Sequence, residues 1–275
     1  MSKVKCEICP HSCELDKGQI GFCRARANKD DKVVAINYGK ITSIALDPIE
    51  KKPLRRFNPG SNILSVGSFG CNLRCSFCQN YRISMSNEDI KTIYMSPQEL
   101  VQRALEMKDN RNIGIAFTYN EPLIGYEYVL DCAKLAQTHD LKIVLVTNGY
   151  INEQPLKELL PYVDAMNIDL KAFNEEFYHR ISGDLDTVKS TIETAAKSCH
   201  VEVTTLIIPN ENDGEEEVGD MAKWLADIDK DIPLHISRFF PMYNMSDRKP
   251  TEIKVVYRLA EIAGEHLSHV YKGNC

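Results

Sequence analysis

After residue 60 the chain alternates short apolar runs with amphipathic stretches, a rhythm that predicts a parallel sheet covered by helices. The apolar runs predict strands over 63–66, 113–117, 142–146, 165–170, 201–208 and 234–239. The stretches between and after them predict helices near 97–107, 125–139, 154–160, 185–198, 215–227 and 251–265. Ser96-Pro97-Gln98-Glu99 is built as a helix start: Ser96 caps, proline suits the first helical position, and Glu99 completes a capping box. Six strand–helix units are too few to close an eight-stranded barrel. The expected fold is therefore α/β, a partial (βα)6 TIM-like barrel with working groups at the carboxyl ends of its strands. Residues 1–60 break the rhythm with a cysteine-rich start, an expected hairpin over 33–46 and a proline-containing stretch over 47–60. They predict a small Cys-rich metal-binding extension ahead of a barrel spanning 61–275.

Composition narrows the function. The chain has 275 residues, 43% of them hydrophobic, enough for one large core. A net charge of -6 argues against nucleic acid or an anionic membrane as partner, and no apolar run approaches the length of a bilayer span. No charged-then-apolar leader is visible, and a cytoplasmic location is expected. The basic run of Lys51, Lys52, Arg55 and Arg56 reads equally as solvated surface or as a functional patch. Of ten cysteines, seven fall in two tight groups, Cys6 to Cys23 and Cys71 to Cys78, a grouping that fits metal thiolates better than disulfides. Cys132 and Cys199 stand apart in stretches that look helical, where ordinary burial is expected.

The second group carries the sharper chemistry. Cys71, Cys75 and Cys78 follow a strand and a glycine at C-x3-C-x2-C spacing. A cubane cluster takes four thiolates, so three leave one iron open to a ligand. A closed zinc site is the competing reading, but it needs a fourth ligand. The first group, Cys6, Cys9, Cys13 and Cys23, offers four thiols for either zinc or an Fe-S cluster. His11 is an alternative ligand there, and Cys275 an additional one if the tail folds back.

The C-x3-C-x2-C motif, with Phe77 before its last cysteine, resembles the radical S-adenosylmethionine (SAM) superfamily. The resemblance implies a 4Fe-4S cluster, SAM as cofactor and a 5'-deoxyadenosyl radical. Thr118-Tyr119-Asn120-Glu121-Pro122 stands where that superfamily carries a Gly-Gly-Glu-Pro segment, implying that Glu121 meets the SAM amino group, although Tyr119 and Asn120 replace the glycines. Thr147 and Asn148 end the third strand in a loop suited to close ligand approach. Asp169-Leu170-Lys171 resembles a segment of glycyl-radical activating enzymes, implying contacts of Asp169 and Lys171 with the SAM ribose and carboxylate; a plain ion pair is the alternative. His235 matches a SAM-contacting histidine in the same enzymes, with a core histidine as the alternative. Tyr243 and Asp247 are candidates to face substrate.

Longer phrases resemble the radical SAM member of the AmmeMemoRadiSam system, a relative of pyruvate formate-lyase activating enzymes. They include Cys9-Pro10-His11, residues 47–54 (DPIEKKPL), Cys78-Gln79-Asn80, His235-Ile236-Ser237-Arg238-Phe239 and Val270-Tyr271-Lys272-Gly273-Asn274. The resemblance implies a flavodoxin or ferredoxin-type reductant and hydrogen abstraction from a small molecule or peptide. Two alternatives stay open: an activating enzyme that installs a glycyl radical on a partner protein, and a zinc-bound interaction protein without catalysis.

Overall fold

The computed structural model describes residues 3–275. Eight strands form the main sheet: β1 (Ser43–Pro48), β2 (Asn62–Gly67), β3 (Asn112–Phe117), β4 (Lys142–Thr147), β5 (Ala165–Asp169), β6 (His200–Ile207), β7 (Leu234–Arg238) and β8 (Val270–Gly273). Their spatial order follows the sequence from β1 to β8; only β1 runs antiparallel to its neighbour. The covering helices are α1 (Pro97–Leu105), α2 (Tyr126–Gln137), α3 (Glu153–Leu159), α4 (Leu185–Ala196), α5 (Glu215–Asp229) and α6 (Ile253–Gly264). Strands β2 to β7 each lead to one of these helices, so the partial (βα)6 barrel stands as expected, with β1 and β8 added at its two edges. The capping box of α1 is formed: Ser96 Oγ accepts from the Glu99 amide, and Glu99 accepts from the Ser96 amide. Such a cap is worth about 1 kcal/mol.

Two sequence expectations need correction. The hairpin lies not over 33–46 but across Arg26–Lys29 and Lys32–Ala35, closed by Asp30 and Asp31 at positive φ. A two-residue turn of that hand matches the twist of paired strands, and aspartate tolerates it. Residues 43–48 instead pair with β2 as β1, so sheet structure begins on the amino-terminal side of residue 60. The same stretch also supplies a floor. Ile49, Leu54 and Phe57 pack against Ile63, Ile113, Ala116, Val144 and Ala165 of β2 to β5, mostly from the amino-terminal halves of those strands, and plug that end of the barrel.

The extension is locally stitched. Val4–Lys5 pairs with Glu14–Leu15, and the Cys6 amide donates to the Cys13 carbonyl at 2.9 Å, so the first three cysteines sit in one short loop. Cys23, Ala25, Ala27 and Ile36 then pack with Phe69 and Ile124 at the carboxyl end of the barrel. The cysteine-rich segment is thereby docked beside the mouth and away from the floor. No helix among the described residues is long and apolar enough to cross a membrane.

Candidate active site

The loop after β2 carries Cys71, Cys75 and Cys78 over the mouth. Gly70 starts it at φ +88, and a Cβ there would lie 2.5 Å from the Cys23 carbonyl oxygen, so the turn admits only glycine. Asn72 locks the loop from below: its amide donates to the Tyr150 carbonyl at 2.6 Å and its oxygen accepts from Asn148 Nδ2 at 2.9 Å. That same Nδ2 reaches Cys71 Sγ at 3.6 Å, and the Leu73 amide reaches it at 3.4 Å. Burial, then the nearby Glu121 carboxylate, pushes the Cys71 thiol well above its usual range, and burial raises Cys75 to about 12 despite the Lys171 ammonium beside it. Without metal these thiols hold their protons; a cation is needed to draw out the thiolates.

Glu121 ties β3 to β4. Its carboxylate accepts from the Leu123 amide at 3.0 Å, Thr147 Oγ1 at 2.7 Å and the Asn148 amide at 2.8 Å. Burial nonetheless dominates and moves its pKa up to about 7. Thr147 and Asn148 are thus brought to the site expected of them, and each is spent in part on holding a neighbour. Asn120 serves the loop: its side chain donates to Phe69 and Gly70 carbonyls and accepts the Ser68 amide.

Tyr119 shows how a bulky residue stands at a glycine position. It adopts φ +72, a left-handed backbone costing about 1–2 kcal/mol outside glycine. Its hydroxyl donates to Asp47 at 2.9 Å, and the Lys52 ammonium lies 4.9 Å from its ring centre. Burial disfavours the Asp47 charge, but Lys52 at 3.0 Å and Tyr119 outweigh it and hold its pKa at about 2. Within the basic run, then, Lys52 is buried while Lys51 stays exposed.

Asp169 and Lys171 pair at 2.7 Å at the end of β5, so the ion-pair alternative is realised, inside the cavity rather than on the surface. Burial opposes the Lys171 charge, yet the Asp169 carboxylate beside it outweighs burial and holds it protonated well above its ordinary range. His235 Nε2 lies 2.6 Å from Glu202, and its ring stacks on Tyr271. Glu202 is fully buried and also meets His200 and the backbone amides of Arg55 and Arg56. Those partners overcome the burial penalty and depress its pKa to about 2. Sequence reasoning missed Glu202; the alternation Val201-Glu202-Val203-Thr204, which turns the acid to the lumen face, was the available signal.

The residues expected from the sequence to hold the cluster and cofactor meet in one cavity of ≈550 Å³, lined by Cys71, Cys75, Phe77, Cys78, Glu121, Thr147, Asn148, Asp169, Lys171 and His235. The four amino-terminal cysteines line a separate small cavity. A neighbouring groove of ≈420 Å³ runs outward past Tyr119 to Tyr243, which stacks on Tyr81 at 4.6 Å; Asp247 is exposed and lines neither. His11 lines that small cavity with the cysteines, its Nε2 bonded to the Asn72 carbonyl at 2.8 Å, whereas Cys275 is exposed beside Gly273 and does not line it. Cys132 is fully buried in α2, whereas Cys199 lies half-buried just past α4.

The radical SAM superfamily model matches residues 65–225, more than half of the chain. A protein of Methanocaldococcus jannaschii described as uncharacterized is 41% identical, covering 99% of this chain and 82% of its own length. The pyruvate formate-lyase-activating enzyme of Clostridium pasteurianum is 25% identical over 74% of this chain and 85% of its own length. In fold, a radical SAM methyltransferase from Sphaerobacter thermophilus superimposes with a TM-score of 0.61 at 14% identity, covering 78% of this chain and 67% of that one. The chain belongs to the radical SAM superfamily and is an enzyme similar to pyruvate formate-lyase activating enzymes. Membership implies a 4Fe-4S cluster and SAM. The donor set fits them: three thiols share a cavity of ≈550 Å³, within the ~300–1,000 Å³ usual for cofactor sites, and no fourth cysteine lines it.

Proposed function

We propose that the enzyme cleaves SAM reductively at a 4Fe-4S cluster held by Cys71, Cys75 and Cys78, and that the resulting radical takes hydrogen from a small molecule or peptide. The observation that carries this reading is the convergence of three thiols with Glu121, Asp169, Lys171 and His235 on a single cavity. Bound there, cluster and SAM supply one-electron cleavage of the C5'–S bond, chemistry no side chain performs alone.

The protein's part is binding, charge and dryness. Asn148 and the Leu73 amide donate toward Cys71 and favour its thiolate. Lys171, kept charged by Asp169, offsets the thiolate charge and attracts the SAM carboxylate. Glu121, poised near pH 7, gives up its proton as an ammonium arrives beside it. His235, with Nε2 committed to Glu202, would offer the rest of its ring to SAM from the cavity wall. The apolar plug formed by Ile49, Leu54 and Phe57 packs across the floor of the barrel. A flavodoxin or ferredoxin-type protein is the expected reductant.

Anaerobic reconstitution with iron and sulfide, then dithionite and SAM, should yield 5'-deoxyadenosine by chromatography. Replacing Cys71, Cys75 and Cys78 together by serine should remove it. Product from that triple variant, or none from the wild type, defeats the reading. The similarity to the Clostridium pasteurianum enzyme favours a second reading, hydrogen abstraction from a glycine of a partner protein. A glycyl-radical doublet by electron paramagnetic resonance (EPR) on such a partner would establish it over the first.

A further inference from the structure

We propose that Cys6, Cys9, Cys13 and Cys23 hold a second iron–sulfur cluster that passes single electrons to the Cys71–Cys78 site. The electron acceptor in this inference rests on the function proposed above; the metal site does not.

The four thiols line one closed cavity together with Leu15, Arg26 and Ile124. Cys6, Cys9 and Cys23 are buried, and Cys13 accepts from the Phe22 amide at 3.4 Å, the kind of N–H···S contact that favours a thiolate. Arg26 is the second, independent sign of an anionic occupant. It is 4% exposed, and its two terminal nitrogens are spent on Glu127 and the Ile124 carbonyl. Its Nε is buried without a partner, an arrangement that costs about 1–3 kcal/mol unless an acceptor forms beside it. The thiolates of these cysteines, once bound to a metal, would be that acceptor.

Geometry separates iron–sulfur from zinc. A zinc ion needs its four sulfurs at about 2.3 Å from one point. Among the described residues no three His, Cys, Asp or Glu side chains converge to hold a single ion. The four cysteines line one cavity instead, the arrangement wanted where each thiol binds its own iron in a cubane. Nor do Cys71, Cys75 and Cys78 converge on a single-ion site.

The two sets are joined by one hydrogen bond. The Cys71 amide donates to the Cys23 carbonyl at 3.1 Å, under the glycine turn at Gly70. Arg74 spans the same junction, donating to the Phe22 carbonyl and, at 2.9 Å, to the Cys71 carbonyl. One residue of each cysteine set thus shares a direct backbone contact, and the proposed relay runs across it. In the relay a flavodoxin or ferredoxin-class donor loses one electron, the second cluster goes from 2+ to 1+, and it returns to 2+ as the first cluster is reduced; no atom or proton moves.

The test uses the full-length chain reconstituted anaerobically. The wild type should hold about eight irons and eight sulfides, and the C71S/C75S/C78S variant about four of each, with a reduced-cluster EPR signal. Zinc, or no metal, in that variant overturns the second cluster. A C6S/C9S/C13S/C23S variant should keep about four irons and lose at least tenfold in SAM cleavage driven by a flavodoxin relative to dithionite. An unchanged flavodoxin-to-dithionite ratio overturns the relay. Two clusters in a wild type that leaves SAM intact would sink the proposed function and spare the metal site. Should the quadruple variant misfold, Arg26→Gln retains every thiol. Removing that charge should lower the midpoint potential of the second cluster alone, and an unshifted midpoint overturns its placement beside Arg26.

Discussion

Glu121 and Glu202 are both buried in one barrel, the first at the mouth and the second near the floor, yet their ionisation is pushed in opposite directions. Glu121 is raised to about 7, chiefly by burial, and Glu202 is lowered to about 2 although burial opposes that too. Both accept several hydrogen bonds. The difference lies in the donors: two amides and a hydroxyl at Glu121, with Asp169 repelling, against two imidazoles and two amides at Glu202. Burial alone therefore does not set the charge of a lumen carboxylate. The mouth is left with a group able to change protonation when a ligand comes, while the floor keeps a permanent anion that fixes β6, β7 and the plug together.

The comparison can be broken first by truncation. Glu202→Ala should cost about 3–5 kcal/mol in denaturant unfolding, because it strands two imidazoles and two backbone amides. Glu121→Ala, which strands three neutral donors, should cost about 2–3 kcal/mol. Equal losses, or the reverse order, would mean the two acids are held alike.

Acid titration of the metal-free protein sharpens the same point. The stability contributed by Glu202 is present in full above its usual 4.5 and lost as pH falls toward 2. That of Glu121 is present below 4.5 and lost as pH rises toward 7. Glu202→Gln should flatten only the acid limb of stability against pH, and Glu121→Gln only the limb between 4.5 and 7. A variant that moves the other limb contradicts the assignment.

Smaller effects follow at the edge strand. Tyr119→Phe removes the bond to Asp47 and should cost about 1 kcal/mol by thermal unfolding. Lys51→Ala touches an exposed ion pair at 3.4 Å and should stay within about 0.5 kcal/mol, testing whether Asp47 depends on the buried Lys52 rather than on Lys51.

The strands and helices of the barrel were legible because their apolar period is local. Runs such as Lys142–Thr147 need only their own residues to be read as buried strands. The three-thiol motif was legible for the same reason, since ligands seven residues apart lie on one loop. Edge strands were less so. Ser43–Pro48 and Val270–Gly273 become strands only by pairing with β2 and β7, and their mixed composition gives no period to detect.

By itself, then, the sequence determined the (βα)6 rhythm and the chemistry of Cys71, Cys75 and Cys78. Tertiary structure decided what far-separated polar groups do. It brought Arg55 and Arg56 to Glu202 across more than a hundred residues, Tyr119 to Asp47, and the Cys23 carbonyl to the Cys71 amide. The physical reason is that a hydrogen bond between distant residues follows from how the whole core packs, and no local pattern records it.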